Sequence, residues 1–290
     1  MNYNFDFFDI FIYILLSFFL LFIFFNYKTI NISLDFLKTS ILKNCFKNKM
    51  IARIILNIVQ AFLIAFMVVI IIQKFYIGNY YIPSESMSPT FKNKDRIFGN
   101  IFIYKFKRPK IDDIIIFKET LNNKYLFTKR ILALYGDTVE IKGETLYING
   151  VKNIDRIYKE QGLIKNKKWI IPKKNDFLEI SLANDFNLEE ILDIYSYNES
   201  FYIEKLSKIK FYINGFETGP LLDVLNYTEV LEELRKNKKI KIKLMQNYYF
   251  VLGDNTSESI DSRYFGFVPE NNIRAKVFLK FWPINSIERF

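Results

Sequence analysis

The sequence predicts a mainly β protein: an antiparallel β-sheet domain carried on two N-terminal transmembrane helices. Three observations lead there. Two long apolar runs open the chain, short apolar runs between turn residues follow them, and half of the 290 residues are hydrophobic, with 18% aromatic. A chain this apolar buries enough surface to offset its ordering entropy, which excludes disorder.

The first run, Ile10–Phe25, reads IFIYILLSFFLLFIFF and is broken only by Ser17. The second, Ile54–Ile72, carries no charge and has Asn57 and Gln60 as its only polar residues. Nineteen helical residues at about 1.5 Å each reach ~28 Å, close to the hydrocarbon thickness of a bilayer. Neither run shows the polar face that a soluble helix turns to water. No Lys or Arg stands before Lys28, while Asp6 and Asp9 precede the first run, so it reads as a retained anchor. Residues 26–53 carry six basic residues against one acid, Asp35. The positive-inside bias puts this connection in the cytoplasm, the N-terminus outside and the large C-terminal part on the outer face of the membrane. The expected segments are 1–25 (first anchor), 26–53 (basic loop), 54–75 (second helix), 76–150 and 246–290 (β domain), and 151–245 (an insertion).

Beyond residue 76, strands are expected at Arg96–Tyr104, Asp113–Lys118, Tyr125–Leu132, Thr138–Lys142, Thr145–Ile148, Tyr248–Leu252 and Ala275–Phe281. Gly136-Asp137, Lys142-Gly143, Asn149-Gly150 and Gly253-Asp254-Asn255 punctuate them, and Asn149-Gly150 after TLYI signals a hairpin. Helical periodicity is confined to Leu188–Tyr195 and Leu221–Arg235. The lysine clusters at 165–174 and 235–243 read as solvated surface.

Net charge is +10, but seven basic and three acidic residues precede residue 76, leaving about +6 beyond it. That suits a neighbour of anionic lipid and falls short of a nucleic-acid binder. Histidine is absent. Its absence removes Ser-His-Asp and Cys-His catalysis, His-bearing zinc sites and histidine pH switches. Cys45 is the single cysteine, so no intrachain disulfide or Cys-cluster metal site forms. Catalysis, if present, must use Ser, Thr, Lys, Tyr or carboxylates.

Three clusters are candidates. Ile82-Pro83-Ser84-Glu85-Ser86-Met87-Ser88-Pro89-Thr90 is an irregular stretch that can present Ser86 with its backbone N–H exposed, although a juxtamembrane linker accounts for it equally well. In Tyr125–Leu132, a strand puts Lys129 on one face with Tyr125, Phe127 and Ile131, and Arg130 on the other. Apolar surroundings favour the neutral amine. To serve as a base near neutrality its pKa must fall from about 10.4 to about 8, or ~3–4 kcal/mol of differential solvation. Taken alone, an edge lysine with its head in water is the plainer account. The third cluster, Gly253–Arg263, is a polar loop in which Asp261 and Arg263 can pair; a structural turn explains it as simply.

The order and combination of these clusters are more specific. SESMSPT shortly after a membrane span, then TKR followed by GDTVEI, then GDNTSESIDSRYFGFVPE, resemble type I signal peptidase (leader peptidase), a membrane protease of the Ser/Lys class. The resemblance covers residues 54–150 and 246–283. It implies a signal-peptidase-like fold, a Ser86 nucleophile and a Lys129 general base, a dyad that needs no histidine. It further implies an oxyanion site made by the Ser86 N–H and the Ser84 hydroxyl, Ser259 orienting Lys129, and Asp261 and Arg263 fixing their loop, with Asp254 supporting it. No metal or organic cofactor is implied. The implied partners are exported preproteins bearing signal peptides, and membrane lipid; nucleic acid is not among them, and the expected state is a monomer in the bacterial cytoplasmic membrane.

Departures are local: Thr256 where the family usually carries Arg, Ser88 after Met87, Asp112 where Gly is usual, and Ala133-Leu134-Tyr135 before Gly136-Asp137. They bear on substrate preference and loop detail. Three other readings share features of the chain. Self-cleaving repressors use related chemistry but are soluble DNA binders. A specialised peptidase for one pilin- or conjugation-type substrate keeps the same dyad. An inactive membrane-anchored peptide-binding module would have no use for a buried unpaired amine.

Overall fold

The structure, a computed structural model, describes residues 49–121, 123–153, 157–184, 186–188 and 199–290, together with Ile32. The expected first anchor, Cys45 and most of the expected 26–53 loop and Leu188–Tyr195 helix lie outside the described residues.

Helix α1 spans Lys49–Phe75. Within it, Met50–Gln73 is, among the described residues, the one stretch long and apolar enough to cross a membrane. At about 1.5 Å per residue these 24 residues reach ~36 Å, enough for the hydrocarbon layer. Its isoleucines, phenylalanines and valines are largely exposed. Such a surface is stable in lipid, where a helix satisfies its own backbone groups.

Residues from Gln73 onward form a second compact unit. Its strands, in chain order, are β1 Ile77–Tyr81, β2 Arg96–Asn100, β3 Ile114–Lys118, β4 Leu126–Ala133, β5 Thr138–Lys142, β6 Thr145–Ile148, β7 Val151–Asn153, β8 Lys168–Ile170, β9 Phe177–Leu182, β10 Ile209–Ile213, β11 Phe216–Thr218, β12 Lys239–Lys243, β13 Tyr248–Leu252, β14 Val268–Pro269, β15 Ile273–Trp282 and β16 Glu288–Arg289. Among the described residues three helices join them: α2 Glu199–Leu206, α3 Thr228–Asn237 and the short α4 Ser262–Phe265. Every strand pairing is antiparallel.

The principal sheet runs β1-β2-β15-β3-β4-β13-β14, with β16 on β15. Its central strands are buried on both faces, which is why β3 (IIIFK) and β13 (YYFVL) read as continuous apolar runs. Ile115 and Phe117 face the main core with Ile131, Val251 and Phe265. Ile114 and Ile116 point the other way, into a smaller core with Ile82, Met87, Phe91, Ile97, Ala275 and Val277. A second sheet runs β7-β6-β5-β8, and the Asn149-Gly150 hairpin signal is realised there with both residues at positive φ. A third runs β11-β10-β9-β12.

The stretch 151–245 is thus divided: β7 and β8 complete the second sheet, while β9–β12 form a sheet of their own. The expected Leu221–Arg235 helix is a 3-10 turn at Leu222–Asn226 followed by α3. Asp223 is buried in that turn and accepts hydrogen bonds from Tyr248 and Gln246; burial raises its carboxyl to about 7.

Candidate active site

Ser86 lies in the connection between β1 and β2. The base of this connection is closed by hydrogen bonds from Ile82 N to the Asp95 carbonyl and from Lys94 N to the Ile82 carbonyl. Met87 and Phe91 anchor it by burying their side chains in the smaller core. Between those anchors Ser88 N bonds the Glu85 carbonyl and Phe91 N bonds the Met87 carbonyl, folding the segment into tight turns that leave Ser86 half-buried.

Lys129 sits on β4 opposite Ile115 of β3, on the same side as Phe127 and Ile131. It is only 5% exposed. Its Nζ donates to Ser86 Oγ at 2.7 Å. Burial lowers its pKa to about 8; the Asp261 carboxylate pulls back upward, the Arg263 guanidinium pushes further down, and Asp254 pulls upward. Loss of water outweighs the surrounding charges. Ser84 is exposed, and its hydroxyl donates to Ser86 Oγ at 3.3 Å.

The loop after β13 closes the site from the other side. Asn255 N donates to the Ser86 carbonyl at 3.1 Å, and Asn255 Nδ2 to the Glu85 carbonyl at 3.2 Å. Gly253 is pressed between Ser86 and Ser259: a Cβ there would lie 2.4 Å from the Ser86 carbonyl oxygen and 2.2 Å from Ser259 Oγ. Only glycine fits.

Asp261 caps α4 and its Oδ2 accepts from Gly253 N at 3.1 Å. The same carboxylate receives Arg263 Nε and Nη2, each at 2.9 Å, in a fully buried fork. Arg263 Nη2 also donates to the Thr256 and Ser259 carbonyls. These bonds satisfy a guanidinium that would otherwise be costly to bury. Ser259 is buried, and its Oγ has no hydrogen-bond partner among the described residues; the structure does not join it to Lys129 by such a bond.

Two contributors were not singled out as site residues by sequence reasoning. Arg130, on the opposite face of β4 from Lys129, grips Asp254 with Nε and Nη2 at 2.9 and 2.8 Å. Thr90 donates from Oγ1 to Asp254 Oδ2. Together they tie the Gly253–Arg263 loop both to β4 and to the segment carrying Ser86. The alternation at Lys129-Arg130 was a usable signal for Arg130 facing away from Lys129, but not for its partner.

Chemically, the arrangement joins a hydroxyl, an amine poised near neutrality and a hydroxyl donor beside it. It contains no metal-ligand set: among the described residues no group of three or more His, Cys, Asp or Glu stands together as one would for a metal ion.

The chain matches the signal peptidase, peptidase S26 family over residues 55–282. It is 32% identical over 241 residues to signal peptidase I of Buchnera aphidicola, with 76% of each chain covered. Signal peptidase I of Aquifex aeolicus is 32% identical over 231 residues, covering 78% of this chain and 83% of that one. Signal peptidase IB of Staphylococcus aureus is 30% identical over 225 residues, covering 78% and 88%. The match spans most of α1, the Ser86 segment, β4 and the Gly253–Arg263 loop alike. The chain belongs to the signal peptidase family, peptidase S26, and is a serine endopeptidase that removes signal peptides.

Proposed function

We propose that Ser86 is the nucleophile and Lys129 the general base of this peptidase. The observation that carries this reading is the 2.7 Å approach of a buried amine, with its pKa lowered to about 8, to the Ser86 hydroxyl. Neutral Lys129 takes the Oγ proton as Oγ attacks the scissile carbonyl carbon. The tetrahedral oxyanion is held by the Ser86 N–H and the Ser84 hydroxyl. Lys129 then passes its proton to the leaving amine, leaving an ester on Ser86. Water, deprotonated by Lys129, hydrolyses that ester and restores the dyad. Asp261 with Arg263 holds the loop in place.

The substrates are exported preproteins still tethered by their signal peptides. The segment to be cleaved lies extended beside β1, which forms one edge of the principal sheet and leads into the Ser86 connection. Small residues are expected at the −1 and −3 positions of the substrate. The β domain works as a monomer on the outer face of the bacterial cytoplasmic membrane, held by two spans with the basic 26–53 connection inside. Anionic lipid is its neighbour, and nucleic acid is not a partner.

The test is cleavage of a preprotein in detergent or liposomes by wild type, Ser86→Ala and Lys129→Ala. Cleavage after a small-x-small sequence, lost in both variants and indifferent to chelators, is expected. Activity that survives both substitutions removes the dyad.

A further inference from the structure

The stretch 151–245 takes no part in the proposed chemistry, and Thr256 departs from the family's usual Arg. The two meet at one place. Thr256 Oγ1 donates to the Ile157 carbonyl at 3.0 Å. Arg263 Nη1 donates to the Lys159 carbonyl at 3.1 Å, and the Tyr264 hydroxyl reaches Gln161 Oε1 at 3.5 Å. Gly162 lies against the Arg263 backbone: a Cβ on it would stand 2.4 Å from the Arg263 carbonyl oxygen, and its φ of +74° is in the left-handed region. Two residues on, Ile164 is fully buried in the main core. The segment is therefore anchored at that end and laid along the loop at the other.

We infer that residues 157–162 form a positioning strap for the Gly253–Arg263 loop, holding it against Ser86 and Lys129. The inference rests on the dyad reading above and gives this part of the inserted stretch a role in it. The strap is a positioning segment and not part of the dyad. It acts through Arg263 and Thr256, and from Arg263 through Asp261 to Gly253, whose neighbour on the far side is the Ser86 carbonyl. The departure at Thr256 then has a reason. A short hydroxyl side chain at this position bonds the strap's backbone directly.

The experiment uses the full chain in detergent with a preprotein substrate, and compares Gly162→Ala, Thr256→Val and Thr256→Ser by kcat, KM, thermal melting and the pH–rate profile. Gly162→Ala is expected to lower kcat about tenfold or more, because small displacements of catalytic groups are costly. Its KM should change less than about threefold, as expected when ground-state binding is spared. The midpoint of its pH–rate profile should move above 8, since a loosened loop admits water to Lys129. Thr256→Val should shift kcat and midpoint the same way by less, and Thr256→Ser should restore wild-type values. A folded Gly162→Ala enzyme with wild-type kcat and midpoint overturns the strap. So does a loss of kcat that follows only the unfolded fraction, with an unmoved midpoint. If Gly162→Ala does not fold, identical profiles for Thr256→Val and Thr256→Ser overturn it instead. Failure of the strap leaves Ser86→Ala inactive, whereas failure of the dyad leaves that variant active.

Discussion

Lys129 and Ser86, 43 residues apart in the chain, meet at 2.7 Å between ammonium nitrogen and hydroxyl oxygen. The lysine is buried on β4, and the serine reaches it from a connection that the smaller core pins in place. Burial shifts the amine toward its neutral form, which is the form a base requires.

The pH dependence follows from that shift. At pH 7 about one-tenth of Lys129 is neutral with its pKa near 8. Cleavage measured as kcat/KM should therefore rise about tenfold per pH unit below 8 and level off above it. Steady-state rates on one preprotein between pH 6 and 9.5 check this. A profile flat across that range is incompatible with a lysine base of this kind.

Stability should run against activity at the same position. Because the folded pKa of Lys129 lies below the unfolded value near 10.4, its contribution is present above that value and lost as pH falls through 8. The penalty at pH 7 is at most about 3 kcal/mol. Lys129→Met keeps the stem and removes the charge. It should abolish cleavage, raise the melting temperature at pH 7, and lose that advantage as pH approaches about 10.4. Paired thermal melts of wild type and variant isolate the difference.

Asp261→Asn should be costly for the opposite reason. It leaves Arg263, fully buried, without its compensating charge. Breaking one partner of such a pair costs about 3–5 kcal/mol. A large fall in melting temperature in detergent is expected, and a change of a degree or less would show that the fork is not holding the loop.

Gly253→Ala tests the closeness of the two segments. The added methyl meets the Ser86 carbonyl and the Ser259 hydroxyl inside contact distance. A displacement of the Ser86 segment by about 1 Å is worth up to ~100-fold in rate. The expected readout is a fall in kcat with a smaller change in KM.

Much of this site was legible because its chemistry is carried by local runs. SESMSPT, TKR and GDNTSESIDSR each hold their residues within a few positions, and the lack of histidine narrowed what they could do. The Arg130–Asp254 fork was not legible: its partners lie 124 residues apart, and neither has a neighbour that announces the other. Strands buried on both faces, such as β3 and β13, were readable as apolar runs. β1 (IGNYY) was missed because Gly and Asn have low strand propensity. β9 and β12 alternate cleanly as FLEISL and KIKIK, but β12 lies within a lysine cluster that reads as solvated surface. The lysines of β12 are indeed exposed, and the isoleucines between them face inward and are half-buried.

The central claim is that Ser86 carries the acyl group and Lys129 activates it. The most direct measurement is intact-mass and peptide mapping of enzyme quenched during turnover of a short signal-peptide ester. An acyl adduct on the Ser86 peptide of wild type, absent in Ser86→Ala and formed far more slowly in Lys129→Ala, is the predicted result. An adduct on any other residue, or undiminished acylation in Lys129→Ala, would contradict the account.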